Sequence, residues 1–251
     1  MNKRTSNLTL KMALLLFGLF VALIAGTIGI LNGVMTRSVN ELEASYIKGQ
    51  EDLADNAMAH QLDNLSALAF DWGVWDDTYR FIQNLNKEYI ASNLASDTVI
   101  NLDMDIISFI DATGEERYSG IEEGGAMSFY EGDELEATKI HGLVTTLEQS
   151  GKNDIRGIIL MNQKPYFMDF FRILRTDGTG DKVGYIFIGR RIDASLISKM
   201  NAQHLIQMTF TETDQWQEDR VTKSATLVKT HHVIQDINGL PVLIRSLTIQ
   251  R

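Results

Sequence analysis

At 251 residues and 28.2 kDa, with 44% hydrophobic residues, the chain carries enough apolar material to bury a core, which excludes general disorder. It contains no cysteine, so disulfides, thiolate metal sites and a cysteine nucleophile are excluded. Up to Arg37 the only charged residues are Lys3, Arg4, Lys11 and Arg37, so the rest of the chain sets its remaining basic residues against all 33 acidic ones, a poor balance for binding nucleic acid.

The first predicted element is a membrane span. Met12 to Leu31 reads M-A-L-L-L-F-G-L-F-V-A-L-I-A-G-T-I-G-I-L without a charge. At about 1.5 Å per residue this stretch covers roughly 30 Å, the hydrocarbon thickness of a bilayer. A cleavable signal sequence has a shorter apolar region, typically about 7 to 15 residues. Lys3, Arg4 and Lys11 precede the span, whereas Glu41, Glu43, Glu51 and Asp52 follow it. Charge asymmetry of that kind predicts a cytoplasmic N-terminus at 1–11, a transmembrane helix at 12–34 and an outer domain at 35–251. Gly18, Ala22 and Gly26, and then Ala25, Gly29 and Gly33, recur four apart, a spacing that lets two helices approach closely and predicts a homodimer.

Next, apolar residues from Val39 through Leu42, Tyr46, Leu53, Ala57, Leu62, Leu65, Ala69, Trp72, Trp75 and Tyr79 to Ile82 follow mostly three- and four-residue steps, with slips near Gly49 and residue 60. They predict a long helix, or two in series, with Gly73 the place for a bend. Beyond residue 100 the pattern shortens. Asp105–Ile110 leads through Asp111-Ala-Thr-Gly114 to Tyr118, and Val233–Gln235 leads through Asp236-Ile-Asn-Gly239 to Ile249, two predicted β-hairpins. Arg156–Asn162, Tyr166–Leu174 and Val183–Arg190 predict further strands, the last two joined by a glycine-containing loop. Helical spacing returns at Ile140, Leu143, Val144 and Leu147, and again after Asp193, a candidate cap, through Leu196, Ile197 and Met200. The fold class expected is α+β: a transmembrane helix and a long stalk helix, then an antiparallel sheet with flanking helices.

The densest cluster of chemistry-bearing residues is Asp71-Trp-Gly-Val-Trp-Asp-Asp-Thr-Tyr79. On an unbroken helix Trp72, Trp75 and Tyr79 would share a face, with Asp76 one turn from Trp72. Such rings either line a ligand pocket or fill a core while the aspartates cap helix ends. Arg190 ends an otherwise apolar strand, where a charge needs a carboxylate partner, a ligand anion or water. Trp72, Trp75, Asp76, Tyr79 and Arg190 are therefore the candidate ligand-binding set, with an ion pair from Arg190 to Asp71 or Asp76 as the structural alternative. His60, His141, His204, His231 and His232 are scattered, and the adjacent pair would face opposite sides of a strand, so no metal site is expected. Phosphate-loop, nucleophile-elbow and zinc-protease motifs are also missing; no catalytic residue and no cofactor is expected.

These motifs, in this order, resemble the fourth class of CHASE domains, sensory domains associated with cyclases and histidine kinases. The resemblance runs from about residue 40 to 249. It rests on Asp71–Tyr79, Asn84–Asn93, Asp105–Gly114, Arg156-Gly157, Tyr166–Leu174, Asp177-Gly178, and Val183–Arg190 leading to Asp193 and Leu196. It implies a Cache or extracellular PAS-like fold with a small-molecule pocket. It further implies a place in a bacterial inner-membrane receptor whose periplasmic domain controls a cytoplasmic histidine kinase, or a diguanylate cyclase or phosphodiesterase and hence cyclic-di-GMP signalling. The chain ends at Arg251, about where the family places a second membrane helix, which fits either a receptor fragment or a single-pass sensor. A protein-interaction module and an aspartate-dependent enzyme outside the cytoplasm are the two competing readings.

Overall fold

The computed structural model describes residues 3–132 and 134–250, with side chains from Leu10 onward; Met1 and Asn2 of the expected cytoplasmic tail, and Arg251 at the end of the expected outer domain, lie outside the described residues. The chain divides into two compact units, residues 1–50 and 51–251.

Within the first unit every described residue belongs to α1 (Lys3–Gly73). Leu14, Phe17, Phe20, Leu23 and Ile30 each leave more than half their surface exposed. A helix that shows large apolar side chains all round has no core of its own to bury them, the condition met inside a bilayer. Among the described residues this is the one helix long and apolar enough to cross a membrane.

The second unit contains the rest of α1, followed by α2 (Asp76–Asn84), α3 (Lys87–Asn93) and α4 (Ser96–Asn101). A first group of strands comprises β1 (Ile106–Asp111), β2 (Glu116–Glu123), β3 (Ala126–Tyr130), β4 (Asp154–Met161), β5 (Lys164–Arg172) and β6 (Gly184–Arg191), with α5 (Ala137–Ser150) between β3 and β4. After α6 (Ala194–His204) come β7 (Met208–Glu212), β8 (Arg220–Lys223), β9 (Leu227–Gln235) and β10 (Pro241–Gln250). The strands form two antiparallel sheets, ordered β3-β2-β1-β6-β5-β4 and β7-β10-β9-β8. The α+β class and the hairpins expected from the sequence are present. The sheet read as one is accompanied by a second, smaller one, because β7 and β8 are short and β8 is exposed throughout, leaving little alternation to read.

Strand β6 explains the layering. Tyr185 and Phe187 point to one face and meet Ile140, Leu143 and Leu147, the inward stripe of α5. Ile186 and Ile188 point to the other face and are equally buried, so the strand reads as a continuous apolar run. Gly73 lies on that second face: a Cβ there would sit 2.6 Å from Phe171 Cδ1 and 3.5 Å from Ile186 Cγ2. Helix α1 ends at Gly73 because its last turn touches the sheet. Beyond it Val74 forms a parallel bridge to Leu174, and Leu174 N–H donates to the Gly73 carbonyl at 2.8 Å. We expect Gly73→Ala to cost about 1 to 3 kcal/mol by displacing the Phe171 ring. Urea unfolding of the full chain in micelles checks this; an unchanged midpoint would mean that the ring moves freely.

The turns are closed by aspartates. Asp111 Oδ1 accepts from the amides of Thr113 and Glu115 between β1 and β2, and Asp236 Oδ1 accepts from those of Asn238 and Leu240 between β9 and β10. Gly114 and Gly239 supply the left-handed residue of each turn, with φ of 93° and 79°. Asp193 caps α6 as expected, its carboxylate accepting from Leu196 N–H at 2.9 Å.

Candidate functional site

The break after Gly73 rearranges the aromatic–aspartate motif. Trp72 remains half-buried in the last turn of α1, whereas Trp75 is extended (φ −144°, ψ 129°) and precedes α2. Trp72, Trp75 and Tyr79 therefore do not share one helix face. The Trp75 ring packs 5.8 Å from Tyr89, which stacks on Phe81 at 4.4 Å, with Phe109 edge-on to both. The Tyr89 hydroxyl lies 2.8 Å from Thr78 Oγ1, and burial holds this phenol far above its ordinary pKa. Trp75 thus belongs to an aromatic core beneath α2 and α3.

Asp76 and Tyr79 face the loop between β5 and β6. Asp76 N–H donates to Thr176 Oγ1 at 3.1 Å, and Thr176 N–H returns a bond to Asp76 Oδ1 at 3.2 Å. Tyr79 is buried, donates to the Asp181 carbonyl at 3.3 Å, and carries the Arg175 guanidinium 4.8 Å from its ring centre. Gly180, at φ +119°, comes so close that a Cβ would lie 2.9 Å from Tyr79 Cε2. This part of the motif fastens α2 to the loop. Carboxylates at Asp76 and Asp77 in the first turn of α2 also complement the helix dipole.

Arg190 sits elsewhere. Its side chain is largely buried at the end of β6, with Nη1 3.5 Å from Asp103 Oδ1 and Nε 3.4 Å from Asp105 Oδ2. The ion-pair partners are thus Asp103 and Asp105 rather than Asp71 or Asp76. The reason is sheet order: β1 lies beside β6, with Ile106 opposite Gly189, and this brings the residues just before β1 to the end of β6. Asp105 Oδ2 also accepts from Arg191 N–H at 2.7 Å. Burial raises the Asp105 pKa above the ordinary carboxylate value, against the opposing pull of Arg190 and the Arg191 amide. Asp103, held at a positive φ of 59°, pairs in addition with Lys199 Nζ at 2.5 Å.

Arg190 lines a cleft of about 370 Å³ together with Gln61, Asn64, Leu68 and Asp71 of α1 and with Asn101, Leu102 and Asp103. That volume suits a small molecule. Leucine side chains give it an apolar wall, Gln61, Asn64 and Asn101 offer amide donors and acceptors, and Arg190 with Asp71 and Asp103 offers both charges. Of the five candidate residues only Arg190 lines this cleft. The residues that sequence reasoning missed are Gln61, Asn64, Asn101 and Asp103. The acidic pair in Leu102-Asp-Met-Asp105, just ahead of the first strand, was the available signal.

The CHASE4 domain family model matches residues 57–211, a range that includes the whole six-stranded sheet and every residue of the cleft. The methanogenesis regulatory histidine kinase FilI of Methanothrix harundinacea is 26% identical, over 97% of this chain and 29% of that protein, so the chain spans less than a third of its relative's length. Among solved structures, the extracellular domain of vpHK1S-Z8, described as a histidine kinase, is 12% identical with a TM-score of 0.54, covering 84% of this chain and 95% of that one. A domain described as belonging to a sensory box/GGDEF family protein of Vibrio parahaemolyticus gives the same identity and TM-score, covering 81% of this chain and 95% of its own. At that identity the likeness concerns the fold.

Proposed function

The chain belongs to the CHASE4 family of sensory domains, and from that premise we propose that it is the ligand-sensing part of a membrane receptor, with the cleft at Arg190 as its binding site. The observation that carries this reading is the cleft itself: a volume of small-molecule size, bearing both charges, within the matched region and bounded by the helix that begins in the apolar stretch. Trp72, Trp75, Asp76 and Tyr79 lie outside the lining of this cleft; Trp75 anchors the aromatic core, and Asp76 and Tyr79 hold the loop between β5 and β6. In this reading residues 1–11 are cytoplasmic, 12–34 cross the bilayer and 35–251 lie outside the cytoplasm. Ligand preference for one of two conformations shifts their populations and passes to a cytoplasmic output, a histidine kinase or a cyclase, in a homodimer joined along the small-residue stripes. The FilI likeness supports the kinase form of that output.

The test uses the full chain in nanodiscs and a defined panel of amino acids, carboxylic acids, polyamines and nucleosides, read by thermal melting. At least one compound is expected to raise the melting temperature of the wild type, and Arg190→Ala and Asp71→Asn to abolish that shift. Arg190→Ala leaves Asp105 short of a partner and costs about 1 to 3 kcal/mol, whereas Asp71, being exposed, loses little on substitution. A shift that survives both substitutions, or a panel without any stabilising compound, would contradict the assignment. Alkaline phosphatase fused after Ile249 is expected to be active in intact cells; inactivity there would overturn the orientation.

A further inference from the structure

In the four-stranded sheet β9 and β10 pair so that His232 lies opposite Arg245. Both side chains reach α1, where Glu51 and Asp55 stand one turn apart on the same face. Arg245, whose side chain is only 3% exposed, bonds Asp55 through Nη1. His232 Nε2 lies 3.0 Å from Glu51 Oε1, and its Nδ1 lies 2.7 Å from Asp219 Oδ2. Asp219 is itself fixed by Val233 N–H at 3.3 Å.

A neutral imidazole has one N–H and can donate to only one of these carboxylates. Geometry that sets a carboxylate oxygen against each ring nitrogen calls for the doubly protonated ring. We infer that His232 is a proton-operated latch that fixes the Glu51–Met58 turns of α1 to the four-stranded sheet, so that acid in the compartment of the sheet tightens the seating of the helix. Arg245 and Asp55 form the permanent half of the clasp, since an arginine does not titrate in this range. Glu51 and Asp219 are the charged groups that act on His232, with Arg245 opposite it on β10, whereas Arg220 of β8 and Lys229 of β9 act on the neighbouring His231. His231 faces away, with Nδ1 2.8 Å from Ser246 Oγ. Burial opposes the charge on His232, but the hydrogen bonds to Glu51 and Asp219 outweigh it and hold its pKa above the ordinary histidine value. For His231 burial and the neighbouring Arg220, Lys229 and His232 act the other way and lower it. A raised folded-state pKa means that the stabilisation is complete below the ordinary histidine value and disappears as pH climbs through the raised one.

Hydrogen exchange of the full chain in nanodiscs, corrected for intrinsic base catalysis, tests the latch. From pH 5.5 to above the raised pKa, amide protection across residues 51–58 is expected to fall by about tenfold for each pH unit separating the folded and unfolded pKa values. His232→Arg, a permanent cation, is expected to keep the protection throughout, and His232→Gln to lack it at every pH. Peptides around Ser66, 15 residues further along α1 and about 22 Å away by helical rise, report separately on Asp169, a second titrating group that faces this helix, and peptides around His60 report on its ring contact with His204 of α6. Wild-type protection independent of pH, or a loss in His232→Arg equal to that in wild type, would overturn the proposal. If His232→Gln does not fold, the comparison of wild type with His232→Arg decides alone.

Discussion

Replacing Asp169 with asparagine is expected to stabilise the folded chain by about 4 kcal/mol at pH 8 and to leave it nearly unchanged at pH 4. Asp169 lies in β5, opposite Arg156 in β4 and Ile188 in β6, with no exposed surface. Neither carboxylate oxygen has a hydrogen-bond partner of good geometry. Burial pushes its pKa up to about 7; the Ser66 hydroxyl on α1 opposes this, Asp154 adds to it and Arg156 works against it. Arg156 is committed to Asp63 at 2.7 Å. An acid that is protonated more readily in the folded state adds stability below its unfolded pKa and loses it as pH rises toward the folded one. From an ordinary carboxylate value to about 7 the difference corresponds to about 4 kcal/mol of lost stability above neutrality. Asparagine keeps the shape and removes the charge. Urea unfolding of the full chain in micelles at pH 4, 6 and 8 gives the three points; destabilisation at pH 8 would show that the ionised carboxylate is paired.

The second large effect is expected at Asp55. Its removal leaves the Arg245 guanidinium buried without a counter-charge, while Arg245 Nε already has no partner. Breaking a buried pair from one side costs about 3 to 5 kcal/mol, and the exposed carboxylate end places Asp55→Ala near the lower bound. Asp55→Leu combined with Arg245→Met removes both charges and is expected to recover most of the loss, because two apolar groups need no counter-charge. The same unfolding measurement on single and double variants yields the coupling; additive losses would contradict the pairing.

Much of this architecture was legible because local chemistry dictates it. Asp111 and Asp236 close their hairpins through their own following amides, Asp193 caps its own helix, and the unbroken apolar run of β6 marks a doubly covered strand. What escaped depends on partners distant in sequence. Gly73 marks the bend, yet the reason, the Phe171 ring against the last turn of α1, lies about a hundred residues away. That bend undoes the common face expected for Trp72, Trp75 and Tyr79. Arg190 was recognisable as a charge ending an apolar strand, but its partners Asp103 and Asp105 follow from β1 lying beside β6. His231 and His232 were expected on opposite sides of a strand, and they make separate contacts. The contact of His232 with Glu51 spans 181 residues and leaves no local pattern.

A small molecule held in the cleft beside Arg190 would shield that cleft's lining, which cysteine protection measures. The chain contains no cysteine, so a single one at Asn64, at Asn101 or, as a remote control, at Lys229 is the only thiol present. With the full chain in nanodiscs, maleimide labelling is measured with and without the compounds that raise the melting temperature. Labelling is expected to slow about tenfold at Asn64→Cys and Asn101→Cys when the site is about nine-tenths occupied, with Lys229→Cys unaffected; equal rates at all three positions, with and without the compounds, would exclude a ligand from this cleft.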